Sequence, residues 1–416
     1  MLLLSAVLAV TAACGSGGDG PSAGDPADAH LLGTPNKATG TPVRIGFANA
    51  DGGAGANFPT IGQSAQAAAA YANDYLGGIG GHPLQLVTCD DRSDGVSAAQ
   101  CATKFVNSGV VGVLHGSVTD TQPYVSALGA AHIPWMAMSG LTPAEFTGER
   151  VFLWTAGILG QLGGIAKYAV DHKFTNVGVI GVNVPGVTAV MNSFGTPIFN
   201  AAGIKLKLTL IPPGTPDPTP QVTAALSASP QAVIVYADAP TCRGVIPALA
   251  DGSAPDGKKP VVFITNVCVG QSVLQTVPAA DFEGVQLPAY VGPTGSDGET
   301  RLYDAVLHKY APKLNVLDGD TSHGYVVTLA MIRALNGAGV TGDLTSDTLS
   351  AALRKARDVR LPLGNGATFT CDGKAIPTFR AMCSGQLVSA TLVDARPSSF
   401  DVIDATDLIA RSFRAS

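Results

Sequence analysis

Charge is what this chain has least of. Only 13% of its 416 residues are Asp, Glu, Lys or Arg, about half the ~25% usual in soluble domains. The formal balance is −6, and no basic stripe is available to neutralise phosphates, which excludes nucleic acid as a partner. After the extreme N-terminus no apolar run reaches the ~18 residues needed to cross a bilayer. There is no Cys-x-x-Cys or His-x-x-x-His spacing, so no metal site is expected. No Gly-x-Ser-x-Gly elbow surrounds Ser117 or Ser139, so no catalytic residue is expected. The Gly77-Gly78-Ile79-Gly80-Gly81 cluster follows a helix and precedes a strand, the reverse of a dinucleotide fingerprint, and no cofactor is expected.

Against this background one stretch organises the chain. Val110–Tyr124 runs as an apolar segment (Val110–Leu114), a hydroxyl-rich turn (Gly116–Thr121) and a helix opening at Pro123. That is how a buried parallel strand hands over to a helix. Open α/β sheets bind ligands at the carboxyl ends of their strands. Ser117, Thr119 and Thr121 would present hydroxyls there, beside free N–H groups of a helix start. Such a cradle suits a small anionic or polar group. His115 reads as a satisfied, semi-buried histidine, and Trp135 and Trp154 as core or cleft-rim aromatics.

Leu2–Ala13 is a short apolar segment ending in small residues before Cys14. That is the pattern of a secretory signal. Small residues before a Cys also resemble a lipobox, which makes Cys14 the lipidated first residue of the mature chain; Thr11 stands where that pattern prefers Leu. Residues 1–14 are expected to be signal peptide and lipobox. Residues 15–41, dominated by Gly, Ser, Asp and Pro in their first part, are expected to be a flexible linker. Setting Cys14 aside leaves Cys89, Cys101, Cys242, Cys268, Cys371 and Cys383, an even number in an exported chain. Fifteen pairings are possible. The simplest joins neighbours: Cys89–Cys101, Cys242–Cys268 and Cys371–Cys383.

Strands are expected at Val43–Ala50, Leu84–Thr88, Val110–Leu114 and Ile133–Met138, and helices at Thr60–Leu76, Val96–Asn107 and through Ser126–His132. Thr60 and Gln63 read as a capping box. Ser139–Pro143, after the fourth strand, is a second hydroxyl-bearing turn. The βαβαβαβ alternation implies a parallel sheet with right-handed crossovers. Around Val151–Gly157 the pattern restarts. Helices are expected at Ile158–His172, Val187–Ala202, Gln221–Ala228 and Gly244–Ala250. Strands alternate with them at Asn176–Gly181, Ile204–Leu210, Ala232–Tyr236 and Val261–Ile264. Later helices fall at Glu299–Tyr310, Ser322–Ala338 and Thr345–Ala356. Ala367–Thr370, Thr378–Met382 and Leu387–Val393 alternate like antiparallel strands.

Five segments carry a family resemblance: Val43–Phe47, Leu76–Gly81 with the following strand and Asp90-Asp91, Val111–Pro123, Ile133–Pro143, and Tyr325–Asn336. Their order and spacing resemble the type I periplasmic solute-binding proteins of the leucine/isoleucine/valine-binding group, over nearly the whole mature chain. The resemblance implies an α/β fold of two doubly wound parallel-sheet lobes joined by a three-segment hinge, with crossovers near Thr155, Pro288 and Leu361. Lobe one would hold residues 42–155 plus 289–360, and lobe two residues 156–288 plus 361–416. It also implies a monomeric lipoprotein tethered to the outer face of the cytoplasmic membrane. Such a protein closes on a small-molecule solute, passes it to an ABC permease and is not an enzyme. The alternative is a ligand-sensing module of the same fold that signals to a receptor.

In amino-acid binders of this group the first lobe holds the α-carboxylate. The matching positions are Ser117, Val118 and Thr119 on one turn and Ser139, Gly140, Leu141 and Thr142 on the other, with Asp51 as a further candidate. The second lobe departs from the pattern. Where the group has aromatic residues and an ammonium-binding Glu, this chain has Asn183–Gly186, Asp238–Thr241 and Thr265–Cys268. Asp238 is the only acid in these loops. Either it takes the ammonium, or the solute is not a zwitterionic amino acid. His323 and Tyr325 open the late helix near the expected cleft.

Overall fold

The structure is a computed structural model that describes residues 30–53, 57–118, 120–140, 142–295 and 297–414. The expected signal peptide and lipobox, Cys14 and most of the linker lie outside the described residues, as do Thr119 and Leu141. The end of that linker is packed. Leu32 is buried in the first core, and Asn36 and Ala38 donate backbone hydrogen bonds to the Asp74 and Asn73 carbonyls. The Leu31-Leu32 pair supplies apolar surface that a free linker lacks.

The first sheet is built from β1 (Val43–Asn49), α1 (Pro59–Tyr75), β2 (Leu84–Asp90), α2 (Gly95–Asn107), β3 (Val113–His115), α3 (Gln122–Ala130), β4 (Trp135–Ala137), α4 (Pro143–Thr147) and β5 (Val151–Leu153). Its strands are parallel, in the order β2-β1-β3-β4-β5. Both faces are covered. Phe47, Leu114, Met136 and Phe152 join one core with α1, while Val113, Trp135, Ala137 and Leu153 join the other with α2 and α3. Burial on both faces is why these strands read as apolar runs rather than alternations. The expected Thr60–Gln63 capping box is absent: α1 starts at Pro59, with Phe58 at its N-cap and no side-chain cap. The fixed φ of Pro59 suits a first helical position and starts the helix one residue early.

The second sheet follows from α5 (Gly157–Asp171), β6 (Asn176–Val182), α6 (Pro185–Val190), a π-turn (Met191–Gly195), α7 (Thr196–Ala201), β7 (Lys205–Ile211), α8 (Thr219–Leu226), β8 (Ala232–Tyr236), α9 (Ala239–Asp251), β9 (Val261–Ile264), α10 (Gln271–Leu274) and β10 (Gln286–Ala289). The expected single helix Val187–Ala202 is split by the π-turn, where Pro197 removes a backbone donor. Strand β10 was not foreseen, because Pro288 inside it argues against a central strand. The chain then returns to the first sheet with α11 (Gly298–Tyr310), α12 (Gly319–Gly337) and α13 (Ser346–Lys355). After the short pair β11 (Val359–Arg360) and β12 (Thr368–Phe369), it ends with β13 (Gln386–Val393), β14 (Arg396–Asp404) and α14 (Thr406–Ser412). The second sheet has the order β14-β13-β10-β9-β8-β6-β7, with β13 and β14 antiparallel to their neighbours.

Both β5 and β10 leave their sheets at their carboxyl ends to cross over, so the carboxyl ends of both sheets lie toward the junction. At the second crossover Gly292 donates to the Leu363 carbonyl (2.8 Å), between β11 and β12. The last transfer to the second sheet comes later than Leu361. Leu361, Leu363, Phe369, Cys371 and Cys383 all sit in the first sheet's core, and the chain joins the second sheet only at β13. Thr378–Met382 is not a strand but a pair of turns, with Phe379 donating to the Ile376 carbonyl and Met382 to that of Phe379. Ala381 and Cys383 pair with Leu153 at the edge of β5 (2.8 Å each). The three neighbour disulfides are all present.

Helices α1 and α12 pack side by side at a separation only glycine allows. A Cβ on Gly324 would overlap the Ile61 carbonyl and the Ser64 hydroxyl. Gly324→Ala should therefore destabilise the protein by about 2–3 kcal/mol, read as a lower urea midpoint with unchanged slope.

Candidate functional site

In the first sheet the strand order reverses between β1 and β3, so the crevice opens beyond Asn49 and His115. In the second sheet the corresponding point lies between β6 and β8. Asn49 is buried and laces the first crevice together. Its Oδ1 accepts from the Ser117 N–H (3.0 Å) and its Nδ2 donates to the Phe58 carbonyl (2.9 Å). His115 Nε2 accepts the Val118 N–H (3.1 Å). The His115 ring stacks on Trp135 (centroids 5.2 Å), which stacks on Tyr124 (5.1 Å).

One carboxylate holds the neighbouring loops. Glu145 is fully buried. Its Oε1 accepts from Trp135 Nε1 (3.1 Å), and its Oε2 from the Thr121 hydroxyl (2.8 Å), the Thr142 N–H (3.0 Å) and the Thr142 hydroxyl (3.1 Å). Thr142 and Glu145 form the capping box of α4. That Thr-x-x-Glu signature was legible in the sequence, one turn from residues already singled out, and was missed; so was Asn49, a lone amide ending an apolar strand.

These bonds alter the expected cradle. The N–H groups of Ser117, Val118 and Thr142 are taken by Asn49, His115 and Glu145 and are not free for an anion. Thr121 and Thr142 spend their hydroxyls on Glu145. Ser117 and Ser139 are half-buried, and neither hydroxyl has a hydrogen-bond partner among the described residues. Ser139 lies against Gly157, whose φ of +54° places the first crossover beside it. Gly140 is boxed in by Phe146 and Leu153, and a Cβ there would come within 2.8 Å of the Phe146 ring. Trp154 and Tyr325 are core residues: Trp154 packs on Phe369, and Tyr325 on Tyr303.

The electrostatics are one-sided. Burial raises the Asp90 carboxyl above its ordinary range, and Asp51 beside it adds to the effect. Burial also raises Asp91, although the Ser93 N–H and the Tyr124 hydroxyl oppose this. In the loops that follow β1 to β9, Arg92 is the only Lys or Arg, and it is exposed. On the second sheet Asp238 is exposed and caps α9 by accepting the Thr241 N–H (2.9 Å). The Cys242–Cys268 bond ties α9 to the loop after β9. Tyr236 and Tyr290 end β8 and follow β10. Burial raises the Tyr290 phenol, and Tyr236 contributes. Neither tyrosine was singled out from the sequence.

Two doubly wound sheets turn their strand ends toward a shared junction. The chain belongs to the periplasmic binding protein family, whose model matches residues 42–385. A search of curated proteins gave no match. Among solved structures, the chain is similar to a protein of Rhodospirillum rubrum described as a branched-chain amino acid ABC transporter. That match has 21% identity and a TM-score of 0.68, over 87% of this chain and 100% of the other. It is also similar to a leucine-binding protein of Thermotoga maritima, at 17% identity and TM-score 0.62, over 88% of this chain and 99% of the other. A third is the branched-chain amino acid transporter substrate-binding protein of Streptococcus pneumoniae in complex with isoleucine, at 17% and 0.63, over 88% and 100%.

Burial, and then the adjoining His115 ring, lower the His323 pKa from 6.5 to about 3, partly opposed by the His115 carbonyl. The unfolded chain therefore binds a proton that the folded one refuses between these values. This contribution is complete above about pH 6.5 and is lost as pH falls, by up to about 1.4 kcal/mol per pH unit. Urea unfolding from pH 6.5 to 4.5 should lose stability less steeply in His323→Phe than in the parent protein.

Proposed function

We propose that the chain is the solute-binding component of an ABC importer. It is an extracytoplasmic, monomeric protein that closes two lobes on one small polar or amphipathic solute and delivers it unchanged to a membrane permease. The observation that carries this reading is the first sheet's switch point, where Ser117 and Ser139 bring hydroxyls unpartnered among the described residues to one crevice beside the first crossover. The resemblance to leucine-binding and isoleucine-bound proteins supports a solute of amino-acid size: an amino acid, an amide or a related carboxylate. Closure is a hinge motion about the three crossovers. Residues 42–155 plus 289–360 form lobe one and 156–288 with the C-terminal strands form lobe two; burial of Leu361, Leu363, Phe369, Cys371 and Cys383 in the first core supports counting 361–383 with lobe one as well.

Ser117 and Ser139 contact the solute directly. Val118, Gly140 and Thr142 shape the wall, and Asp51 and Asp238 set the charge at either rim. Cys14 carries the lipid that holds the protein at the membrane surface, with residues from Gly15 to the packed segment at His30 as the tether.

Replacing Ser117 and Ser139 together by Ala should weaken solute binding in calorimetry by about tenfold or more while leaving the ligand-free Tm nearly unchanged. Unchanged affinity rejects the assignment. Cys14→Ala should move the protein from the membrane to the soluble fraction, and retention in the membrane rejects the lipid anchor.

A further inference from the structure

Two shielded nitrogens at this crevice have no partner. Because His115 Nε2 accepts the Val118 N–H, the neutral ring carries its proton on Nδ1. That Nδ1 has no hydrogen-bond partner among the described residues, and neither has Nε2 of His323. The rings meet edge to face with centroids 6.5 Å apart. Buried polar atoms are nearly always paired, so two exceptions side by side ask for a cause.

Their place in the fold supplies one. His115 ends β3 at the switch point. His323 stands in the early part of α12, next to Gly324, which packs on Ile61 near the start of α1. Both helices therefore begin on the same crevice as the strand ends. A carboxylate arriving there meets Asp51 and Asp90, on which burial and Asp51 outweigh the Lys104 and Arg92 cations, and N–H groups already engaged. Burial keeps both imidazoles neutral by lowering their pKa values, so neither supplies a cation.

We propose that His115 and His323 form the polar floor of the solute site and select an uncharged carboxamide or urea-type end over a carboxylate. This rests on the solute-binding reading and narrows its ligand class. A carboxamide offers an acceptor and a donor to two nitrogens that can give and take a proton bond, whereas a carboxylate offers acceptors only. The His115 Nδ1–H donates to the carbonyl oxygen, and His323 Nε2 accepts the amide N–H.

The test is calorimetry on the full chain with three probes of similar shape: isovaleramide, isovalerate and L-leucine. Isovaleramide should bind at least about tenfold more tightly than isovalerate. His323→Phe should cost isovaleramide at least about tenfold, and His323→Gln should restore it to within about threefold. The ligand-free Tm of His323→Phe should not fall at neutral pH, since the variant removes an unpaired buried atom; a purely structural histidine would lower it. Equal or tighter binding of isovalerate or L-leucine overturns the selectivity and leaves the solute-binding reading standing. Isovaleramide binding unaffected by His323→Phe overturns the role of the pair. Binding of none of the three overturns this proposal, and leaves solute binding to the test of the paired serine variant.

Discussion

A carboxylate cut off from water must be surrounded by donors, or its desolvation is not offset. Glu145 meets that demand by recruiting Trp135 from β4, Thr121 from the turn after β3 and Thr142 from the turn after β4. The crevice depends on this arrangement. It fixes two strand-end turns relative to each other and sets the plane of Trp135, on which His115 then stacks. Asn49 does the same for the turn after β1. The crevice is thus held by its own buried polar groups; the hydroxyls of Ser117 and Ser139 and one nitrogen each of His115 and His323 lack a partner there among the described residues.

The same economy operates at the junction. Leu153 has its N–H and carbonyl engaged by Ala381 and Cys383, so the disulfide-closed loop 371–383 extends the first sheet by one irregular edge. Phe146 on α4 meets Phe194 from the π-turn (centroids 6.0 Å), and Phe379 and Phe413 complete that aromatic contact. Apolar contact is non-directional and tolerates sliding, whereas the Gly292–Leu363 bond from the second crossover to the loop between β11 and β12 is directional. The first tolerates small shifts, and the second fixes the second crossover on the first lobe's loop between β11 and β12.

Much of the fold was legible because both sheets are parallel and buried. Ala232–Tyr236 and Val261–Ile264 match the observed strands at both ends, since an unbroken apolar run of that length between helices has few alternatives. Legibility failed where tertiary context overrode local chemistry. Pro288 hid β10, Pro197 split a helix that periodicity read as whole, and Pro59 displaced a plausible cap. At the site, residue types were readable and their commitments were not. Ser117 and Thr142 look alike as hydroxyl donors in a turn, yet only the fold shows that Thr142 is spent on Glu145 while Ser117 keeps its hydroxyl. Asp238, left open as a possible ammonium partner, also serves as an N-cap, a role its sequence position allowed equally well. Which N–H groups stay free is set by Asn49 and Glu145, each distant in sequence from at least one of its partners.

Entry of solute between the lobes at the strand ends, as proposed, has a direct test. A cavity of about 420 Å³ lined by Asn36, Lys37, Gly77 and Asn336 lies at the opposite end of the first sheet, below the strand starts, and provides a built-in contrast. Hydrogen–deuterium exchange with and without a saturating solute separates the two places. The account predicts protection in peptides covering 115–123, 138–143 and 155–160, with the 76–82 turn unchanged. Protection confined to 76–82 and the end of α12, with the strand-end turns exchanging as before, would contradict it.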